Sequence, residues 1–188
     1  MAVPAEMTTL DISGRYHMND GLSDDTDEIL RLQGLGWLLR KTLALSHLYM
    51  KVKHFKDQNG IERIEIDQTL SGGIPGTTEI HPLDWKDACH EDHIFGAVYN
   101  KARRVHLEDE IKSPFLRAGW TDDVEKFGAI NTMAVSDPSK GGKKWVAEQV
   151  WGFALINGER RHTRHVAFVG PNGEVVNAKL VYDYQGPL

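Results

Sequence analysis

Residues 48–70 alternate with a period of two, and this pattern leaves little freedom over what the chain becomes. In HLYMKVKHF, Leu48, Met50 and Val52 alternate with Tyr49, Lys51 and Lys53. In IERIEIDQTL, Ile64, Ile66 and Gln68 alternate with Arg63, Glu65 and Asp67. Successive strand side chains point to opposite faces, so each segment has an inside and an outside. Asn59-Gly60 in the KDQNG link is a hairpin signal. The stretch predicts a half-buried antiparallel pair.

The same pattern recurs. LDISGRYHM reads as a short strand around Gly14, and GTTEIHPL, HIFGAVYNKARRVHL, AINTMAVS, KKWVAEQVWGFALI, RRHTRHVAF and EVVNAKLVYDY extend the series. GGIPG, DPSKGG, ING and GPNG punctuate them. The total is about ten strands, as in an up-and-down barrel or clam. Two stretches break the period. Residues 24–47 read as helix, glycine break and helix, with Ser23 or Asp24 as the N-cap candidate and Leu30, Trp37 and Leu38 among the apolar positions. Residues 107–128, LEDEIKSPFLRAGWTDDVEKFG, have the spacing of one or two helical turns and read as an insertion. The two helices of 24–47 are too short to stand alone and must pack on something.

The 188 residues are most simply one domain, 1–188, with residues 1–9 a loose tail. A net charge of −5 and a pI near 6.0 argue against a nucleic-acid footprint. Cys89 has no partner for an internal disulfide, which suits a reducing compartment. No basic-plus-apolar leader opens the chain, and no apolar run approaches the ~20 residues that span a bilayer. The expected location is the cytoplasm, without stable membrane insertion. Cys89-His90-Glu91-Asp92-His93 fits no standard zinc spacing, and no dinucleotide, P-loop or nucleophile-elbow motif is present. Neither a metal nor a cofactor is expected.

SGRYHM, the acidic start SDDTDE and LQGLGWLLRK together resemble the intracellular fatty-acid-binding proteins, which open with a Gly-x-aromatic strand and a helix-turn-helix. The corresponding residues are Gly14, Tyr16, Leu35, Gly36, Arg40 and Lys41. AKLVYDY resembles that family's final strand. The glycine and aromatic are shared with the wider calycin group, including lipocalins, and the chain is similar to lipocalin-like proteins of fungi. The resemblance implies an all-β-dominated, ten-stranded antiparallel β-clam whose helical lid covers an apolar mouth.

The family holds a fatty-acid carboxylate with inward arginines and a tyrosine, two of them in a final Arg-x-Tyr. Aligned on LVYDY, Tyr182 takes the tyrosine position, and Leu180 stands where the arginine would be. The neighbouring strand offers a replacement. If Val166 and Phe168 point inward, so do Arg164, His162 and Arg160, and Trp145, Gln149, Trp151, Phe153 and Leu155 share their face. A four-residue loop at GPNG would instead pair Val169 with Glu174 and bring Arg161, Thr163 and His165 to the face of Tyr182. An odd-length loop or a bulge restores the first register, which buries more aromatic surface.

Two functions follow. One is a carrier for a hydrophobic ligand such as a fatty acid, with Arg164, His162, Tyr182, Leu180, Trp151, Phe153, Trp145 and Gln149 as binding residues. The other is an isomerase or cyclase acting on an apolar secondary metabolite, in which Arg164 and Tyr182 polarise a carbonyl and His162 transfers a proton. A third reading fills the cavity with side chains and leaves a protein-binding module. Oligomeric state is not legible.

Overall fold

The strand-rich alternation closes on itself as a single curled sheet. A computed structural model describes residues 1–73, 76–92, 94–137, 139 and 142–188. Its strands are β1 (Gly14–Met18), β2 (Leu48–Lys56), β3 (Glu62–Leu70), β4 (Thr78–Pro82), β5 (Ala88–Asp92), β6 (Gly96–Val105), β7 (Ala129–Ser136), β8 (Val146–Ile156), β9 (Glu159–Val169) and β10 (Val175–Gly186). All pairings are antiparallel, in the order β4-β3-β2-β1-β10-β9-β8-β7-β6-β5. This is the expected β-clam, with β4 and β5 as its edges.

The helices are α1 (Asp27–Gln33), α2 (Trp37–Ala44), α3 (Leu107–Glu110), α4 (Pro114–Arg117) and α5 (Asp122–Phe127). α1 and α2 form the lid. Gly34 ends α1, its N–H donating to the Arg31 carbonyl. Ile29 and Leu32 are buried, whereas no residue of α2 is. The N-cap of α1 is Thr26, not Ser23 or Asp24. Those two serve the sheet instead: Val181 N–H donates to Ser23 Oγ at 2.9 Å, and Lys179 N–H to Asp24 Oδ2 at 2.8 Å. They satisfy strand donors that β1 is too short to reach.

Gly14 explains the opening motif. At φ +152°, with Tyr184 Cε2 only 2.5 Å from where a Cβ would stand, the position accepts no side chain. Tyr16 two residues on is buried, and its hydroxyl donates to the Ile12 carbonyl at 2.8 Å. The register slips between Arg15 and Tyr16, which bends β1 against β10.

Residues 1–9 are not a loose tail. Val3 and Thr9 are buried, Val3 N–H donates to the Arg160 carbonyl at 2.9 Å, and the amino terminus pairs with Asp183 at 2.7 Å. The segment helps close the end of the clam opposite the lid. There Arg104 bonds Glu62, donates to the Thr9 carbonyl at 2.8 Å and reaches the Gly128 carbonyl at 3.2 Å. His54 Nδ1 accepts from Ile12 N–H at 3.2 Å, so its Nε2–H faces Glu62 at 2.7 Å.

The insertion holds three short helices rather than one or two turns. It lies on the convex face of the sheet, over β8 and β9. Leu107, Ile111, Leu116 and Val124 are buried there, and His165 Nδ1–H donates to the Phe115 carbonyl at 3.1 Å beside the Trp120 ring. Gly152 permits this contact, since a Cβ would stand 3.0 Å from both Trp120 Cε3 and Val124 Cγ2. The apolar outer positions Val150 and Ala154 are thereby covered.

β5 is not among the strands the alternation predicts; Ala88–Asp92 pairs with Gly96–Asn100. It is short, polar and at an edge, so it carries little apolar alternation. His93 and parts of the GGIPG and DPSKGG turns lie outside the described residues. No helix among the described residues is long and apolar enough to cross a membrane.

Candidate functional site

The register of the last strands decides what faces inward. Val175 pairs with Val169, and a five-residue loop, closed by Gly170 N–H to the Glu174 carbonyl at 2.8 Å, joins them. The odd loop sets Arg164 opposite Leu180 and His162 opposite Tyr182, while β8 sets Trp151 opposite Arg164 and Gln149 opposite Val166. These residues share the concave face.

Under the lid lies a cavity of about 600 Å³, within the range of small-molecule sites. Its apolar wall includes Leu30, Leu43, Leu48, Met50, Val166 and Leu180. Its polar floor comprises Gln68, Glu79, Gln149, Arg164 and Tyr182. Five carboxylates line it among the described residues, Asp20, Asp24, Asp25 and Asp27 at the lid and Glu79 at the floor, against two guanidiniums, Arg40 and Arg164.

Arg164 is fixed from three sides. Its guanidinium carbon lies 3.9 Å over the Trp151 ring and 5.3 Å from the Tyr182 ring, and Nη1 stands 3.8 Å from Glu79 Oε2. Nη2 points at Met50 Sδ, 3.6 Å away. Its Nε is buried with no hydrogen-bond partner among the described residues. Trp151 Nε1–H, which can only donate, bonds Gln149 Oε1 at 2.9 Å. Gln149 is thus oriented with its amide hydrogens left for the cavity.

Glu79 is held by Gln68 Nε2 at 2.6 Å and His81 Nε2 at 3.2 Å. Burial pushes its carboxyl upward, yet His81, Arg164 and Gln68 together hold it down at about 2. A third of its side chain is accessible, but Glu79 lines the cavity, so that surface faces the ligand space. His81 stands edge-on to Trp151 at 5.0 Å, tying the two halves of the floor together. Burial raises the Tyr182 phenol pKa, opposed by Arg164, so the hydroxyl keeps its proton at neutral pH. At the mouth, Arg40 of α2 pairs with Asp27 of α1 and reaches the Asp27 carbonyl at 3.4 Å.

Of the residues singled out from sequence, Arg164, Tyr182, Leu180, Gln149 and Leu30 line the cavity. The others are corrected. His162 lies beneath the floor, fully buried between Tyr16 at 5.2 Å, Tyr182 at 5.4 Å and Phe153 at 6.1 Å. Burial and then Arg164 push its pKa down to about 3, against the Gly152 backbone, so it is a neutral imidazole at neutral pH and, away from the cavity, not an acid for a ligand. Trp151 supports Arg164 from below, and Phe153 is core. Trp145 packs on Phe168 at 5.9 Å. Trp37 and Leu38 face solvent, 65% and 73% exposed, because α2 turns its other side, Arg40, Leu43 and Ala44, to the cavity. Of the three strand arginines, Arg160 pairs with Asp123 at 2.7 Å at the closed end, and Arg161 pairs with Asp183 on the outer face.

Sequence reasoning missed Glu79, Gln68, His81 and Arg40. A signal existed for the first three: each is polar at an inward parity, Gln68 following Ile64 and Ile66, with His81 opposite Ile64 and Glu79 opposite Ile66.

The sheet order, the two-helix lid and the cavity beneath it define a β-clam of the fatty-acid-binding-protein type. Solved structures agree in fold alone. A point mutant of the REP1-NXSQ fatty acid transporter superposes with a TM-score of 0.54 at 10% identity, covering 92% of this chain and 97% of that one. A fatty acid-binding protein from Drosophila melanogaster brain tissue gives 0.51 at 12%, covering 90% and 95%. Sequence relatives lie elsewhere. "Probable pericyclase scpY" from Mollisia scopiformis is 31% identical over 189 residues, covering 99% of this chain and 96% of that protein. "Pericyclase pydY" from Acremonium sp is 26% identical over 194 residues, covering 100% and 98%. No family model matches the chain. The chain belongs to the fungal family that holds scpY.

Proposed function

We propose that this protein catalyses a pericyclic ring closure of a conjugated, carbonyl-bearing small molecule in the cavity under the lid. The observation that carries this reading is full-length relatedness to scpY and pydY, both named as pericyclases, in a chain whose cavity floor presents a fixed cation. Pericyclic reactions move π electrons around a closed array, forming σ bonds with no atom gained or lost. They need neither a nucleophile nor proton transfer, and His162 is placed to supply neither.

Two contributions suffice. The cavity wall holds a flexible chain folded with its reacting ends together, which removes entropy from the barrier. Arg164, the Gln149 amide and the Tyr182 hydroxyl are hydrogen-bond donors aimed at the cavity; a carbonyl seated there has its conjugated π system drawn electron-poor before reaction, and the negative charge that builds on its oxygen as the new bonds form is stabilised. Trp151 and Glu79 keep the guanidinium from collapsing into the wall. The aspartate-lined lid opens for entry and closes to fold the chain.

The test uses extracts of the source strain lacking this chain. An open-chain compound isomeric with the normal product should accumulate, and purified protein should convert it with no change of mass. Conversion at the same rate without protein, or with boiled protein, removes the reading.

A further inference from the structure

Glu79 is not needed to hold a carboxylate ligand, and its position works against one. Arg164, the cation at the floor, already has a carboxylate 3.8 Å away, and that carboxylate is held in place by Gln68 at 2.6 Å and His81 at 3.2 Å. The guanidinium is further satisfied by the Trp151 face at 3.9 Å. A ligand carboxylate arriving here would sit beside Glu79 with one guanidinium between two anions. Like charges at such separations in a cavity of low dielectric repel strongly. The route in adds to this, since four aspartates line the mouth and Arg40, the lid cation that lines the cavity, is already paired with Asp27.

We infer that Glu79 is a specificity-determining residue: it neutralises Arg164 so that the cavity selects uncharged carbonyl compounds and rejects free carboxylic acids. The Arg164–Glu79 pair leaves the guanidinium hydrogens able to meet a carbonyl oxygen, an acceptor that brings no charge. A clam of carrier type thereby becomes a site for a neutral substrate through one acid at its floor. This rests on the reading that the cavity is the ligand site, but not on any reaction occurring there.

The experiment is an equilibrium titration at pH 8 with cis-parinaric acid and with its methyl ester, a fluorescent polyene pair that differs in charge and by one methyl group. Energy transfer from Trp151, directly beneath Arg164, reports arrival at the floor. For the unaltered protein the ester should bind about tenfold more tightly than the acid or better, a factor of ten being about 1.4 kcal/mol. Glu79→Gln, which keeps a similar shape, should reverse the ratio of the two affinities, bringing the acid level with the ester or ahead of it. Acid binding as tight as ester binding in the unaltered protein overturns the inference, whether or not the variant folds. So does an acid affinity that Glu79→Gln, folded by its circular dichroism, leaves unchanged. Binding of neither probe overturns both this inference and the reading of the cavity. An ester preference in a protein that closes no ring leaves the inference standing and removes only the proposed reaction.

Discussion

Arg164 on β9 and Glu79 on β4 approach to 3.8 Å although β3, β2, β1 and β10 all separate their strands in the hydrogen-bonded order. The sheet curls far enough to bring them together across the cavity. The contact is therefore a product of the whole fold, and the chemistry of the floor depends on the clam staying closed.

Arg164 is the group whose removal should cost the proposed reaction most. Arg164→Ala is expected to lower the rate by about 100-fold, the size of effect seen when one charged or polar donor is taken from a developing oxyanion. Arg164→Lys should recover little of it, because an ammonium has no planar face to lie 3.9 Å over Trp151. Single-turnover rates with thermal melts of each variant check this; full rescue by lysine would mean that charge alone suffices.

The lid pair should govern traffic rather than chemistry. Arg40→Met removes the cation bonded to Asp27 and leaves the partly exposed acid in water. Ligand release, followed by stopped-flow fluorescence, should speed up several-fold, with stability changed by about 1 kcal/mol or less. An unchanged release rate would show that the ligand leaves by another path.

Gly152 tests the buttress on the outside of the sheet. A methyl there stands 3.0 Å from Trp120 and Val124, so Gly152→Ala should destabilise by about 1–3 kcal/mol through overpacking. Urea unfolding measures it. The cavity lies on the other face of β8, so ligand affinity should hold.

Acid should unfold the protein in two stages. His162, desolvated and near Arg164, titrates at about 3 in the fold, and His165, desolvated and near Lys179, at about 4, both below the free imidazole at 6.5. Below pH 6.5 the unfolded chain takes up protons that the native state refuses, so stability falls as pH drops from 6.5 toward 4. Above 6.5 both states are neutral and these groups contribute no slope. Glu62 and Glu79, each depressed from 4.5 to about 2, stabilise above 4.5, and that contribution is lost as pH falls from 4.5 to 2. Denaturant midpoints across pH 8 to 4 should show the first stage, and His162→Phe should flatten it. A profile level from 8 to 5 would contradict the burial of both imidazoles.

What was legible in the sequence follows the range of the interactions concerned. Alternation gave each strand two faces but left β9 open between two registers against β10; the five-residue loop that pairs Val169 with Val175 is what brings Arg164, Trp151, Leu180 and Tyr182 together. Glu79 and Gln68 were equally inward by parity, but parity does not say which walls meet across a cavity. His162 was on the right face and at the wrong depth: two residues along a strand is the difference between floor and core. The leucines and tryptophan of α2 misled for a different reason. Their residue types suggested burial, yet the helix turns an arginine, a leucine and an alanine inward. The N-terminal segment has no periodicity, and its order comes from backbone bonds to β9 and β10 that no local pattern foreshadows.

The outer helices over β8 and β9 have a consequence for how the molecule can be altered. With both faces covered, that wall has nowhere to bend, and its amide hydrogens should be the last to exchange with solvent. Among the described residues the opposite wall, β2 to β4, has no helices over it, and β4 is an edge strand. Changes that reshape the cavity will be absorbed on the β2–β4 side, where the backbone can yield to a bulkier substrate. The wall that carries Arg164 behaves as the anvil against which any new ligand must be fitted.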